Sequence, residues 1–264
     1  MIDRLTVLGP GTIMPLPDYG CSGYLLHWKT SEGERPILID CGPGTLDRLC
    51  EHGTPVEAIE VILITHFHVD HVSDLAAVFL SRWLRNLDKG PGAHRLTVIG
   101  PVGLADHIAT VSKLNQPWIS EYEFDIVELG AGSYVFPNRS RYDGLSLDTV
   151  PTGHTENSIC YRLTDSEGRR FFYSGDTDYN EALLPLADGA ELAILECSMP
   201  DEKKLPGHLT PRLAGKLAEK SHVRRLLLTH FYEEVLSVDI VTEVRKEYGG
   251  EVELAKKLRS YPIS

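Results

Sequence analysis

Between Val61 and Asp74 the chain reads VILITHFHVDHVSD. His66, His68, Asp70 and His71 fall within six positions, directly after the apolar run Val61 to Ile64. Imidazole and carboxylate side chains are ordinary ligands of Zn²⁺, Mn²⁺ and iron. In an extended segment, residues two apart point the same way, so His66 and His68 can meet on one cation as a strand ends. Asp70 and His71 come next, where the chain must turn, and can serve a second cation beside the first. A helical H-E-x-x-H site needs a spacing of four, so this is a different design. By chance, H-x-H-x-D-H arises in a chain of this composition with a probability on the order of one in a thousand. Three further apolar runs end in ligand-type residues: LDTVPTGH at His154, RFFYSGD at Asp176 and RLLLTH at His230. A single His or Asp after a strand more often caps a turn. Three of them added to the first cluster reverse that balance, giving five histidines and two aspartates for two divalent ions with shared ligation.

These residues need strands to carry them. Short apolar runs rich in β-branched and aromatic residues predict strands at 4–9, 23–28, 36–42, 61–66, 95–100, 124–129, 145–150, 158–163, 170–176, 192–197 and 225–230. Helical spacing predicts helices at 74–87, 103–111, 210–221 and 238–248. The third of these opens on Thr210 and Pro211, a cap residue followed by a first-turn proline. Hairpins mixed with helices predict an α/β fold of sheets with helices on their outer faces. Without repeats, low-complexity stretches or a Pro/Gly/Ser-rich linker, residues 1–264 read as a single domain.

Composition bounds the function. Apolar content of 42% and charged content of 24% are those of a soluble globular protein. No apolar run approaches the roughly 20 residues that span a bilayer, and the N-terminus lacks the pattern of a secretory signal, so a cytoplasmic location and no membrane partner are expected. The five cysteines form no C-x-x-C pair, which argues against both a disulfide framework and a cysteine zinc site. A net charge of −12 opposes a long nucleic-acid partner. Arg82 and Arg85 are expected on a solvated helix face and Trp83 in the core. His27, His52, His94, His107 and His222 match no ligand position and are expected to be surface or loop residues.

The motif THFHVDH, followed in order by His154, Asp176 and His230, resembles the metallo-β-lactamase superfamily over nearly the whole chain. The resemblance implies a four-layer αββα sandwich with a metal site at one edge of its two sheets. It implies that His66, His68 and His154 hold one ion, that Asp70, His71 and His230 hold the other, and that Asp176 bridges them. Zinc is the expected metal, with manganese or iron as alternatives. The element GHLT at 207–210, with His208 22 residues before His230, resembles the phosphodiesterase and ribonuclease Z-like branch. Homodimers are common there. Bacterial ribonuclease Z carries a long tRNA-gripping arm between the positions matching His154 and Asp176. Here only 21 residues separate them, reading as two strands joined by TDSEGR. The expected activity is therefore a dinuclear phosphodiesterase acting on small phosphodiesters or nucleotides. The alternatives are tRNA 3′ processing, a lactonase or thioesterase of the same fold, and a non-enzymatic binding member. Besides Asp70, which can orient the nucleophile while it binds metal, the catalytic candidates are His208 as proton donor to the leaving group and Glu196 as its orienting partner.

Overall fold

The computed structural model describes residues 1–86, 95–115, 124–137 and 140–263. His94 and the last residue of the helix expected at 74–87 lie outside the described residues.

Strands β1 (Ile2–Gly9), β2 (Gly23–Thr30) and β3 (Gly33–Ile39) form an antiparallel meander. After helix α1 (Thr45–His52) come β4 (Val61–Leu63), the short helix α2 (Val69–Val72) and α3 (Leu75–Asn86). Strand β5 (Leu96–Pro101), helix α4 (Leu104–Leu114) and strand β6 (Phe124–Leu129) complete the first half. In the second half, β7 (Gly132–Val135), β8 (Ser146–Pro151), β9 (Ile159–Thr164) and β10 (Arg170–Tyr173) pair antiparallel. Then follow α5 (Leu184–Ala187), β11 (Leu192–Glu196), α6 (Pro211–Lys220), β12 (Arg225–Thr229), α7 (Ile240–Val244), β13 (Glu251–Leu254) and β14 (Ser260–Pro262). The sheets run β14-β1-β2-β3-β4-β5-β6 and β13-β12-β11-β10-β9-β8-β7. In each, four neighbouring strands are parallel: β3 to β6 in one, β10 to β13 in the other.

Alternation along β2 shows how the layers form. Tyr24, Leu26 and Trp28 join the inter-sheet core, whereas Leu25 joins a second cluster with Leu49 of α1, Phe79 of α3 and Ile108 of α4. Ala214, Leu217 and Ala218 of α6 pack on the other sheet. Strands β11 and β12, covered on both faces, are apolar nearly throughout, as buried parallel strands are. The result is the expected αββα sandwich.

Four local readings need correction. The strand expected at 61–66 stops at Leu63. Ile64 still donates to Ile99, but the Thr65 N–H goes to the Asp40 carboxylate, which ends the ladder. The helix expected at 238–248 is only Ile240–Val244, a stretch whose β-branched residues lower helix propensity. Arg82 is not solvated: it is buried, donating to the carbonyls of Ile59 and Arg95. His27 is likewise buried in β2, with Nε2 at 2.9 Å from the Thr6 hydroxyl and Nδ1 at 2.6 Å from Glu34. Arg85 and His222 are exposed as expected, and Trp83 packs partly buried against the α3 side of the core. Among the described residues, no helix is long and apolar enough to cross a membrane.

Candidate metal centre

The ligand-type residues all sit at carboxyl ends of strands. His66, His68, Asp70 and His71 occupy the segment from β4 into α2, His154 follows β8, Asp176 follows β10 and His230 follows β12. Turning from strand to site requires unusual backbone in places. Gly175 sits at φ 56°, and a Cβ there would meet the Thr65 side chain at 2.9 Å. His230 itself adopts φ 60°.

The seven side chains converge in two groups around Asp176. Its Oδ2 lies 3.7 Å from His66 Nε2 and 3.6 Å from His154 Nε2. Its Oδ1 lies 3.4 Å from both His71 Nε2 and His230 Nε2. His68 turns its Nδ1 to within 3.1 Å of His154 Nε2, and Asp70 Oδ2 is 3.3 Å from His230 Nε2. Ligands bound tetrahedrally at about 2.0–2.1 Å stand about 3.3–3.4 Å from one another, so most of these separations suit a shared cation. His66 Nε2, His71 Nε2 and Asp176 Oδ1 are buried without a hydrogen-bond partner. Orphaned polar atoms of this kind are costly unless something else satisfies them. The donor set and its spacing fit two divalent ions.

Around these groups, a hydrogen-bond network fixes the ring tautomers. His71 donates from Nδ1 to Asp40 Oδ2 at 2.8 Å. Asp40 also accepts from Thr65 N, the Thr65 hydroxyl and the Tyr173 hydroxyl. Because the Thr65 hydroxyl donates to Asp40, it accepts from His66 Nδ1 at 3.1 Å. His154 donates from Nδ1 to the Gly207 carbonyl at 2.9 Å. His230 donates from Nδ1 to the Ser198 hydroxyl at 3.0 Å, and that hydroxyl donates to Glu196 Oε2 at 2.5 Å. Four histidines thus have Nδ1 engaged and Nε2 turned inward, which is how outer partners orient metal-binding imidazoles.

The same contacts set the electrostatics. Burial pushes His66 well below the ordinary histidine value, so its ring is neutral. For Asp176, burial opposes ionisation but is outweighed by the adjacent imidazoles of His230 and His71, holding the carboxyl well below its usual range. Asp70 is also held down: burial acts against it, and the close approach of the His230 and His71 imidazoles overcomes that.

Glu196 is the last residue of β11 and is fully buried, not a solvated strand end. It accepts from Thr177 N at 2.6 Å and from the Ser198 hydroxyl, and both its oxygens are 3.1 Å from His208 Nδ1. Burial pushes its carboxyl up. Burial also pulls His208 down, but the hydrogen bond and charge of Glu196 more than offset that and raise it. With Nδ1 held, the other edge of His208 faces Asp176 and His230, close enough to count as a further ligand-type group. Sequence reasoning missed Asp40 and Ser198. Asp40 had the same signal as Asp176, a carboxylate directly after an apolar strand; Ser198 had none.

Asp70, Asp176, His68 and His208 line an open cavity of about 350 Å³ whose other walls are Ile13, Phe67, Val69 and Tyr232. A larger cavity of about 840 Å³ lies elsewhere, at the amino ends of β4, β5 and β6, where Arg95 pairs with Asp125 and Arg141 with Glu60. The smaller one holds the ligand-type residues, at the carboxyl ends of the strands where open α/β sheets bind ligands.

A family model described as the β-lactamase superfamily domain matches residues 35–231. The chain belongs to the metallo-β-lactamase superfamily. Rv1339 of Mycobacterium tuberculosis is 31% identical over 94% of this chain and 88% of its own length. A protein named ribonuclease Z from Streptomyces avermitilis is 29% identical over 99% of this chain and 98% of its own length. Among solved structures, the metallo-β-lactamase fold protein YhfI from Bacillus subtilis superposes with a TM-score of 0.82 at 20% identity, covering 99% of this chain and all of that one. Fold, family and the buried His/Asp clusters together make the chain a metallo-hydrolase with a site suited to two ions. Purified protein stripped and reloaded with Zn²⁺ or Mn²⁺ is expected to hold about two ions per chain by elemental analysis. A content near zero would leave the seven side chains without a role.

Proposed function

We propose that the protein is a dinuclear phosphodiesterase that cleaves small phosphodiesters or nucleotides. One observation carries the reading: His208, bound through Nδ1 to a buried carboxylate, stands beside the seven ligand-type residues. In this reading His66, His68 and His154 would hold one cation, Asp70, His71 and His230 would hold the other, and Asp176 would serve both. Bound there, such a pair would supply positive charge to phosphate oxygens and acidify a water molecule. The chain's own residues do the rest. Glu196 fixes the His208 ring and favours its protonated form, so that it could give a proton to the departing alkoxide. Ser198 ties the same carboxylate to His230, so donor and ligand are held by one group. Asp40 holds His71 and, through Thr65, His66.

The small-substrate part rests on the stretch between His154 and Asp176. It is filled by the hairpin of β9 and β10, closed by a short turn in which the Asp165 backbone N–H donates to the Arg169 carbonyl. That leaves no room for an RNA-gripping arm there, and the net charge of −12 repels polyanions. The test is a hydrolysis panel on metal-loaded protein: bis(p-nitrophenyl) phosphate, cyclic nucleotides, a lactone, a thioester and a precursor tRNA. Diesters are expected to turn over and the tRNA to be processed poorly at physiological salt. Accurate tRNA 3′ cleavage would refute the size limit, and turnover confined to the lactone or thioester would refute the phosphodiesterase reading.

A further inference from the structure

The cavity over the metal centre has a polar floor and apolar walls. Ile13 is 45% exposed and Val69 57% exposed, and both face it together with Phe67 and Tyr232. Scattered exposed apolar residues need no explanation, but two of them converging on one cleft with two half-buried aromatic rings mark a surface that something apolar covers. Phe67 lies between two ligand-type residues, His66 and His68, so its position relative to the reacting centre is fixed by the motif itself. Its ring is stacked on His107, with centroids 5.0 Å apart and planes 11° from parallel. His107, expected to be an ordinary surface or loop residue, is thereby half-buried on α4. Gly103 at the start of α4 closes the packing: a Cβ there would stand 3.4 Å from the Phe67 ring. The ring is therefore braced from behind and cannot fold away from the cavity without breaking the stack.

Charge narrows the occupant. Among the described residues, no lysine or arginine lines this cavity. Lys204, near it in sequence to His208, is paired with Asp178 at 2.8 Å. A substrate with phosphate groups beyond the scissile one would find no cation to receive them, and such groups are normally met by Arg or Lys. An uncharged, flat or apolar alcohol would find a braced aromatic face.

We propose that Phe67, backed by His107, forms a subsite for an uncharged aromatic group on the diester, so that the site selects monoanionic aromatic diesters over compact or polyanionic ones. The substrate class rests on the phosphodiesterase reading above, but the subsite is testable by binding alone. Calorimetry on the zinc-loaded protein would compare diphenyl phosphate, dimethyl phosphate and bis(4-carboxyphenyl) phosphate, the last having the same rings with added charge. Diphenyl phosphate is expected to bind about tenfold more tightly than dimethyl phosphate, the size of effect that ring stacking gives, and the carboxylated ester to lose that advantage. Phe67→Ala should abolish the advantage while dimethyl phosphate binding and metal content stay as in the parent; Phe67→Tyr should retain it. If Phe67→Ala disturbs the metal content, His107→Ala, which removes only the bracing ring, must by itself cut the advantage several-fold. Equal binding of the diphenyl and dimethyl esters, tighter binding of the carboxylated one, or an advantage that survives loss of the ring would overturn the subsite. An intact advantage with no hydrolysis of any diester would instead overturn the phosphodiesterase reading and leave the subsite standing.

Discussion

Replacing His208 by alanine is expected to leave about two ions per chain and to cut turnover of a diester with a poor leaving group by about 10²–10⁴-fold, the range of general acid–base catalysis. The loss should shrink for a p-nitrophenyl ester, because that oxygen departs without needing a proton. The geometry gives the reason for both halves. Nδ1 of His208 is committed to Glu196, so its removal takes away no Nδ1 partner of His66, His71, His154 or His230, while in the proposed reaction the ring would meet the phosphate beside Asp176 and His230. His68→Ala is the control: His68 belongs to the ligand group with His66, His154 and Asp176, so its loss should weaken metal binding and depress both substrates alike. A His208→Ala protein that loses metal would make His208 a ligand, as its proximity to Asp176 and His230 permits. Undiminished turnover on the poor leaving group would remove it from proton transfer altogether.

The parts of the site legible in the sequence share one property: the residue's role follows from where a strand ends. His66, His68, His154, Asp176 and His230 each follow an apolar run, and the sheets bring all those ends to one edge. Glu196 was legible for the same reason, but its burial was not, because burial comes from Thr177, Ser198 and His208 closing over it. Phe67 and His107 are 40 positions apart in the chain, and nothing in either's neighbours announces that α4 will lay one ring on the other. The misread elements fail for related reasons. Helix α1 went unseen because it is short and its limits are set by Gly44 and Gly53, both left-handed, with few apolar positions between them to set a period. Arg82 is expected in solvent from its place on a polar helix face, whereas its guanidinium satisfies the backbone carbonyls of Ile59 and Arg95. A long cationic side chain can be buried when fixed acceptors meet its donors.

Asp40 offers the second large effect, and it tests whether the outer network supports the metal or the fold. The carboxylate is fully buried at the end of β3, at φ 54°, and receives donors from four groups: Thr65 N, the Thr65 hydroxyl, His71 Nδ1 and the Tyr173 hydroxyl. Asp40→Ala would leave those buried donors unpaired at once. Each unsatisfied group costs about 1–3 kcal/mol, so a loss of about 4 kcal/mol or more in unfolding free energy is expected, measurable by urea denaturation of the metal-free protein. Asp40→Asn is the informative variant. Its carbonyl oxygen can still accept from Thr65, and Asn tolerates the left-handed backbone, but the amide end faces His71 Nδ1 or Tyr173 with a donor where an acceptor is needed. His71 then loses the partner that fixes its tautomer, and metal affinity should fall about 10–100-fold, the usual cost of removing an outer-sphere partner. Competition with a chelator of known affinity reads that change directly. Destabilisation in Asp40→Asn without any loss of metal affinity would mean that Asp40 serves the fold alone, and that His71 is oriented by Asp176 from the inner side.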